Sequence, residues 1–524
     1  MINIQLVHNK GYKWFSNNGS VWVKGFVFTP ENGLLKEEKL IDYFTGTESF
    51  DAFQAKLKTA NGLFSVVIRQ ENGIWAAIDH ARSFPLFYYH GNDDFFLTDN
   101  PDELAKENIP TILDEESAVL FRHSGFAAGN RTLLKNIFQL IAGQSLCCEE
   151  NRIKTEFHTE FLTDTFFTQT REELKTHLKS TLEHVGRRLV EALAGRPAVI
   201  PLSGGFDSRL MAYLLRKYNY TNVICYTFGK KDNIEVNNAL RTAENLGYEF
   251  YFIDYGKYRY QMLADDPDFR AYVDYSAAYA CRPEDQDYCA IKEMMKQGQL
   301  AAGAVFIPGH SGAVAGHLLF PSMDNPNFSW IEHAVDEVYS QASPNKREMR
   351  IVRENIHFLD RQPAYPAFLL YENWRFQGTT ALAFNTAKMG DFFGFEYLLP
   401  LWDRELFSFF MHTPFRHKYD KNLYKETLSE LFREFNIYFG EDELYPNEKL
   451  VRKVAFRSKL KKRFPFLKRF VNVWKNDITG EQNRAAEFAR ELEEGGISSK
   501  RMPYNSILSA WYVLHVRKKL ERKK

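Results

Sequence analysis

Net charge, cysteine and uninterrupted apolar sequence are what these 524 residues have little of. Lysine plus arginine number 67 and aspartate plus glutamate also 67, so no global field draws the chain to nucleic acid or an anionic membrane, and any polyanion contact has to be local. The five cysteines (Cys147, Cys148, Cys225, Cys281, Cys289) form no C-x-x-C pair and no His/Cys cluster at ligand spacing. That argues against structural zinc and against a disulfide framework, and it fits a reducing cytoplasm. The opening MINIQLVHNKGYKWF lacks the basic-then-apolar pattern of a secretion signal. The most apolar long stretch, residues 301–320, is broken by Pro308, four glycines and two histidines, which excludes it as a membrane span. Internal repeats, low-complexity linkers and the Walker pattern G-x-x-x-x-G-K-[ST] are also missing. A globular, cytoplasmic protein is expected.

The apolar content that is present, 44% of residues with 15% aromatic, supplies two cores, and the length exceeds what one core usually supports. The first hundred or so residues use strand and hairpin vocabulary: SVWVKGFVFT, GLFSVVIRQ, GIWAAIDH, FPLFYYHG and DFFLTD, with Glu71-Asn72-Gly73 as a turn. An antiparallel β-rich domain over residues 1–160 follows from this. Residues 170–194 then carry Leu174, Leu178, Leu182, Val185, Leu189 and Leu193 at helical spacing. Beyond them strands and helices alternate: PAVIPL, a helix over 207–218, NVICYTFG, a helix over 234–246, and YEFYFIDY. Alternation of this kind predicts a parallel sheet covered by helices. From Gly256 the pattern is mostly helical apart from AVFIPG at Ala304, so residues 170–524 read as an α/β domain with a helical extension.

The strongest chemical signal is Ser203-Gly204-Gly205-Phe206-Asp207-Ser208, between the PAVIPL strand and a helix. Two glycines admit close approach of an anion, the helix start offers free N–H groups, and two hydroxyls add donors. A phosphate suits such a loop. Asp207 within it makes sense if Mg2+ accompanies the phosphates. Ser-Gly-Gly turns and Asp or Ser caps are common for purely structural reasons, but here strand, loop and helix all stand in the context that phosphate binding requires.

S-G-G-F-D-S resembles the pyrophosphate loop (PP-loop) of the N-type ATP pyrophosphatases, which cleave ATP to AMP and pyrophosphate while adenylating a substrate. Asp79-His80-Ala81-Arg82-Ser83-Phe84-Pro85-Leu86-Phe87-Tyr88-Tyr89, preceded by Asn61-Gly62-Leu63-Phe64-Ser65, resembles the class II glutamine amidotransferase domain. Gly394-Phe395-Glu396-Tyr397-Leu398-Leu399-Pro400-Leu401-Trp402-Asp403 is similar to an E-x-R-x-P-F-L-D segment. Together, in this order, they resemble the asparagine synthetase family over nearly the whole chain. The resemblance implies an α+β Ntn-hydrolase-like sandwich at the amino terminus, then an α/β PP-loop (adenine nucleotide alpha hydrolase-like) domain. It implies ATP and Mg2+ held by Ser203, Gly204, Gly205, Asp207 and Ser208, with Leu202 and Phe228 bordering the adenine. For Leu202 and Phe228 a role in sheet core is the competing reading. Gly309-His310-Ser311-Gly312 takes the place of the family's second loop, adding Gly309, Ser311 and Gly312 to the nucleotide site. His310 and Glu396 then fall to the substrate pocket. Lys453 stands where the family has a transition-state-stabilising lysine, in a neighbourhood basic enough for an ordinary solvated lysine.

Departures from the family pattern carry their own expectations. The chain given begins Met1-Ile2, with no amino-terminal cysteine to act as nucleophile, so the first domain is expected to pack or dock without hydrolysing glutamine. Ala313 stands where an acidic residue is usual, His310 where glutamate is usual, and Leu398 where arginine is usual. The implied activity is an AMP-forming carbon–nitrogen ligase joining a small-molecule carboxylate to ammonia or another amine, without nucleic-acid or membrane partners and with a homodimer left open. The alternative is a degenerate pseudoenzyme serving as a nucleotide-binding or scaffolding protein. Basic stretches at 457–469 and 517–524 read either as polyanion contacts or, more commonly, as solvated helix faces. His310 and His317, with only a glycine-rich loop between them, make no tetrahedral metal set.

Overall fold

Period-two alternation in the first 160 residues decides which side chains meet. The computed structural model describes residues 2–91, 93–107, 109–231, 234–256, 266–310, 314–317, 319–325, 327–335, 345–356, 365–382, 385–440, 481–500 and 502–522. A seven-stranded sheet is built from β2 (Trp14–Asn17), β3 (Val21–Thr29), β4 (Gly33–Lys36), β5 (Asn61–Gln70), β6 (Gly73–Ile78), β10 (Gln144–Glu149) and β11 (Arg152–Phe157). Its order is β11-β10-β6-β5-β3-β2, with β4 paired to β3. Along β6, Ile74, Ala76 and Ile78 enter one core and Trp75 and Ala77 another, as alternate faces of a strand require. The Trp75 side is covered by the helices Glu37–Phe44 and Phe50–Thr59. The other side packs on a four-stranded sheet, order β1-β8-β7-β9, of β1 (Ile2–Gln5), β7 (Phe87–His90), β8 (Phe95–Thr98) and β9 (Ile137–Gln139). On the far face of that small sheet, Phe87 meets Ala278 and Ala280 of the following region.

The second half is organised by a five-stranded, wholly parallel sheet, order β14-β13-β12-β15-β16: β12 (Ala198–Pro201), β13 (Val223–Gly229), β14 (Glu249–Asp254), β15 (Val305–Phe306) and β16 (Glu396–Tyr397). Ala198, Val199 and Ile200 have no exposed surface, because a central parallel strand is covered on both faces. The helix Arg171–Leu193 opens on a capping box of Thr170 and Glu173 and buries Leu174, Leu178, Leu182, Val185 and Leu189. Full burial of each such leucine stabilises by about 1.5–3 kcal/mol. Among the described residues no helix is long and apolar enough to cross a membrane. Of the carboxy-terminal basic residues, Arg517 pairs with Glu115 and Lys519 with Asp102 and Asp274; residues 457–469 lie outside the described residues.

The segments 79–89 and 394–403 meet each other across the join of the two halves. The Tyr397 hydroxyl donates to Ser83 O (2.9 Å), the Tyr12 hydroxyl donates to Tyr397 O (2.5 Å), and His80 Nε2 lies 2.8 Å from Trp402 O. Arg404 donates to four oxygens of the first half.

Buried histidines at this join make its stability pH-dependent. His80 and His158, 1% and 3% exposed, are each pushed down to about 3 by burial first and then by the Arg404 charge. Their folded pKa lies below the unfolded value, so the unfolded chain binds the extra protons. Stability is therefore complete above about pH 6.5 and falls as pH drops toward 3, by up to ~1.4 kcal/mol per pH unit for each ring. His158 Nε2 lies 2.9 Å from Ile78 O, a contact glutamine can reproduce. His158→Gln is expected to reduce the pH slope of urea-unfolding free energy between roughly pH 6 and pH 4 by about 1.4 kcal/mol per unit. An unchanged slope would assign the acid sensitivity elsewhere.

Candidate nucleotide site

Ser203 to Asp207 occupies the carboxyl end of β12, where the strand order reverses: β13 and β14 lie to one side, β15 and β16 to the other. In open parallel sheets ligands bind in the crevice at such a switch point. The backbone leaves the sheet after Leu202 N–H donates to Tyr226 O (2.7 Å). It then enters the helix Phe206–Lys217 at Gly205, which provides no side-chain cap, so the first-turn N–H groups have no capping side chain to satisfy them. Ser208 Oγ ties the turn shut, accepting from Ser203 N–H (3.0 Å) and donating to Ser203 O (3.1 Å), while Ser203 Oγ accepts from Gly205 N–H (3.2 Å).

The second loop is pressed against this helix start. A Cβ on Gly309 would lie 2.5 Å from Ser208 N and 2.7 Å from Asp207 C, a backbone clash that only glycine avoids. Gly204 is nearly as crowded, its Cβ position 3.0 Å from Glu235 Cα on the helix Ile234–Leu246. Beside these loops sits His310, whose Nε2 is enclosed without a hydrogen-bond partner among the described residues. Burial pushes this imidazole down to about 4 against the pull of Asp207, so it is neutral at pH 7.

Asp207 is ion-paired with Lys421 (Nζ to Oδ2 2.8 Å, to Oδ1 3.2 Å). Lys421 starts the helix Asn422–Arg433 from a left-handed conformation, φ 57°, directly after Asp420 at φ 52°. Two consecutive non-glycine residues in that region cost about 1 kcal/mol or more each. Tyr424, one turn on, is buried beside the carboxylate, and its phenol is raised well above the ordinary value by burial and then by Asp207. His317 is lowered by burial and then by Lys421, with Arg375 and Lys425 adding to the effect against Asp207. Three cations thus act on His317, of which Lys421 is paired with Asp207 and Lys425 with Asp420 (3.2 Å). Lys421, Lys425, Arg375 and Tyr424 carry no motif, and no signal in the sequence marks them.

The other residues singled out in the sequence are distributed as follows. Leu202 is 1% exposed and its side chain belongs to the sheet core. Phe228, at the carboxyl end of β13, is partly buried against that core and stacks on Tyr255 (4.8 Å, 23°). Glu396 is not brought to the loops. It pairs in register with Val305, level with Ala198 at the opposite end of the sheet and roughly 15 Å from Ser203 at ~3.3 Å per residue, and is salt-bridged to Arg196 (2.8 Å). Ser311, Gly312, Ala313 and Lys453 lie outside the described residues. Cys147 and Cys148 are buried in β10, and burial pushes the Cys147 thiol up to about 12, far from a nucleophile's range.

Among the described residues no three His, Cys, Asp or Glu side chains converge as a metal cluster. The lone carboxylate Asp207 at this helix start would fit magnesium if phosphate oxygens completed its shell, since that ion is commonly held by one or two carboxylates plus phosphates.

No family model matches the chain, and no curated protein matches it. Solved structures similar to it include the NH3-dependent NAD synthetase of Campylobacter jejuni subsp. jejuni, 14% identical over 36% of this chain and 93% of that one, TM-score 0.20. Another is the allosteric regulatory enzyme of purine biosynthesis, 10% identical over 65% of this chain and 60% of that one, TM-score 0.19. A third is the glutamine phosphoribosylpyrophosphate amidotransferase of B. subtilis, 11% identical over 62% and 70%, TM-score 0.19. Likeness this slight leaves fold and function to be argued from the chain's own residues.

Proposed function

We propose that this chain is an ATP-dependent, AMP-forming ligase resembling asparagine synthetase, which adenylates a small-molecule carboxylate and passes the acyl group to an amine. The observation that carries the proposal is the Ser203–Ser208 loop. It lies at the switch point of a parallel sheet, has an uncapped helix start, and has Gly309 packed against it. In the reaction the carboxylate oxygen attacks the α-phosphorus of ATP, pyrophosphate departs, and the amine then displaces AMP from the acyl carbon.

The N–H groups of the first helical turn and the Ser203 and Ser208 hydroxyls would hold the departing pyrophosphate, and Lys421, Lys425 and Arg375 would offset its charge. Asp207 would hold Mg2+, which supplies further charge neutralisation when bound. Neutral His310, beside the loops, would be the group nearest to hand for a substrate contact. Lys453 remains the proposed transition-state cation, and the first half is proposed to dock against the synthetase half without hydrolysing glutamine. Holding both reactants in one crevice replaces a bimolecular encounter.

The deciding experiment is pyrophosphate release from Mg-ATP by the purified full chain, first with aspartate plus ammonia and then across a panel of carboxylates. Release that depends on one carboxylate, with matching AMP, is the expected result. Absence of release together with absence of ATP binding by calorimetry would sink the ligase reading and leave a scaffold.

A further inference from the structure

A partly open cavity lies between the two halves, lined by none of the nucleotide-loop residues, with about 360 Å3 of non-atom space that includes its solvent-filled mouth. Two lysines line it. Lys24, on β3, is 3% exposed; among the described residues its ammonium donates one hydrogen bond, to His8 O (2.8 Å), and lies over the rings of Phe84 and Trp14 (5.3 and 5.9 Å). Lys388, on the helix Asn385–Phe392, is 6% exposed, and among the described residues its ammonium makes one hydrogen bond, a long one to Ser276 O (3.4 Å). An ammonium has three donors, so most of this donor capacity is unmet in a buried setting where an unmet charged group is costly.

The nearby carboxylates are committed elsewhere. Asp99 accepts from Val7 N–H, His8 N–H and Trp14 Nε1–H at 2.8, 3.0 and 2.7 Å. Asp391 accepts from Tyr12 N–H (2.6 Å) and the Tyr275 hydroxyl. Neither forms a salt bridge with Lys24 or Lys388 among the described residues. A third buried cation, Arg82, has Nε and Nη1 unpartnered, and its charge, after burial itself, helps lower Lys388 to about 8. The remaining walls combine apolar and aromatic residues, Trp14, Phe84 and Tyr275 among them, with the polar His8 and Ser83 and with Asp99, whose oxygens are taken up by the three donors above.

We infer that this cavity binds a compact dianion, a short dicarboxylate, whose two charged ends pair with Lys24 of the first half and Lys388 of the second. Two separate ammonium groups match two carboxylates and the aromatic walls match a short carbon chain, while Asp99 and Asp391 offset the lysine charges without making an ion pair to either. Because its two lysines come from different halves, the ligand would also pin the halves together.

The test is calorimetric titration of the full chain with malonate, succinate, glutarate and inorganic phosphate, with thermal midpoints recorded alongside. One dicarboxylate is expected to bind at a single site and raise the midpoint. Lys24→Met and Lys388→Met are each expected to weaken binding at least tenfold, Lys388→Arg to restore part of it, and Asp207→Asn to leave it unchanged. Without ligand, Lys388→Met is expected to melt no lower than wild type, since it removes an underpaired buried charge. Binding of phosphate in preference to every dicarboxylate would overturn the assignment of ligand. Absence of binding by any dianion up to about 10 mM, binding indifferent to both lysine variants, or binding lost in Asp207→Asn would overturn the site itself. The last outcome would move the anion to the nucleotide loop, and the first two leave the ligase reading untouched.

Discussion

Asp207→Asn is expected to cut carboxylate-dependent pyrophosphate release by about a hundred- to a thousandfold, the range seen when one preorganised electrostatic group is removed from a reacting centre. The side chain is a quarter exposed and paired with Lys421, so its replacement leaves the core intact and the loss reports on chemistry. A sharper signature is its interaction with magnesium. Without the metal, a carboxylate beside a polyphosphate repels it, by an amount of order 1–4 kcal/mol at ~4 Å for effective dielectrics of 80 to 20. Asp207→Asn is therefore expected to tighten ATP binding in chelator and to weaken it in excess magnesium, so that the two calorimetric titrations move in opposite directions. Lys421→Met is expected to weaken ATP binding under both conditions. If both replacements merely break an ion pair, the double variant will match either single one and the chelator titration will not change sign, which would sink the metal-holding role.

Arg404→Ala is expected to destabilise the protein by about 3–5 kcal/mol, the scale for breaking a buried charged network. Its guanidinium donates to Leu57 O (2.9 Å), Ala60 O (2.9 Å), His158 O (2.8 Å) and Thr159 Oγ1 (3.1 Å). These oxygens come from the end of one helix and from the segment just after β11 in the first half, while Arg404 begins the helix Arg404–Met411 in the second. Truncation leaves four acceptors of the first half without their donor at the join. Burial lowers the guanidinium to about 10, still charged at neutral pH. Lysine keeps the charge but not the planar fork, so Arg404→Lys is expected to recover only part of the loss. Urea unfolding of the three proteins measures this, and a loss below ~1 kcal/mol for alanine would show that the halves are held by apolar packing alone.

Much of the local architecture was legible in residue order. Alternation along GIWAAI places Trp75 and Ala77 opposite Ile74, Ala76 and Ile78, and helical spacing from Leu174 to Leu189 picks out the buried stripe of Arg171–Leu193. The strands PAVIP, VICYTFG and EFYFID and the helices between them fall within a residue or two of where their patterns end. These are properties of neighbours on the chain, set by the 2.0 and 3.6 residue periods. The strand–loop–helix junction at Ser203–Ser208 was legible for the same reason: two glycines and two hydroxyls lie within six consecutive residues between a strand pattern and a helix pattern.

What the sequence by itself determined, then, is the strongly periodic elements and the one loop whose residues are contiguous, while helices such as Glu37–Phe44 and Phe50–Thr59 were not legible in it. Only the tertiary structure decided what stands opposite that loop. Lys421 is 214 residues from Asp207, and the left-handed turn at Asp420 and Lys421 that presents it belongs to no recognisable turn signature. Glu396, in a segment that resembles a substrate-site motif, is carried to the far end of the sheet because the two-residue strand Glu396–Tyr397 pairs in register with Val305–Phe306. The segments around Asp79 and Trp402 become partners at the join of the two halves. Strand register and helix packing are settled by burial summed over the whole chain, so a charge's partner depends on residues hundreds of positions away, and local spacing has no access to them.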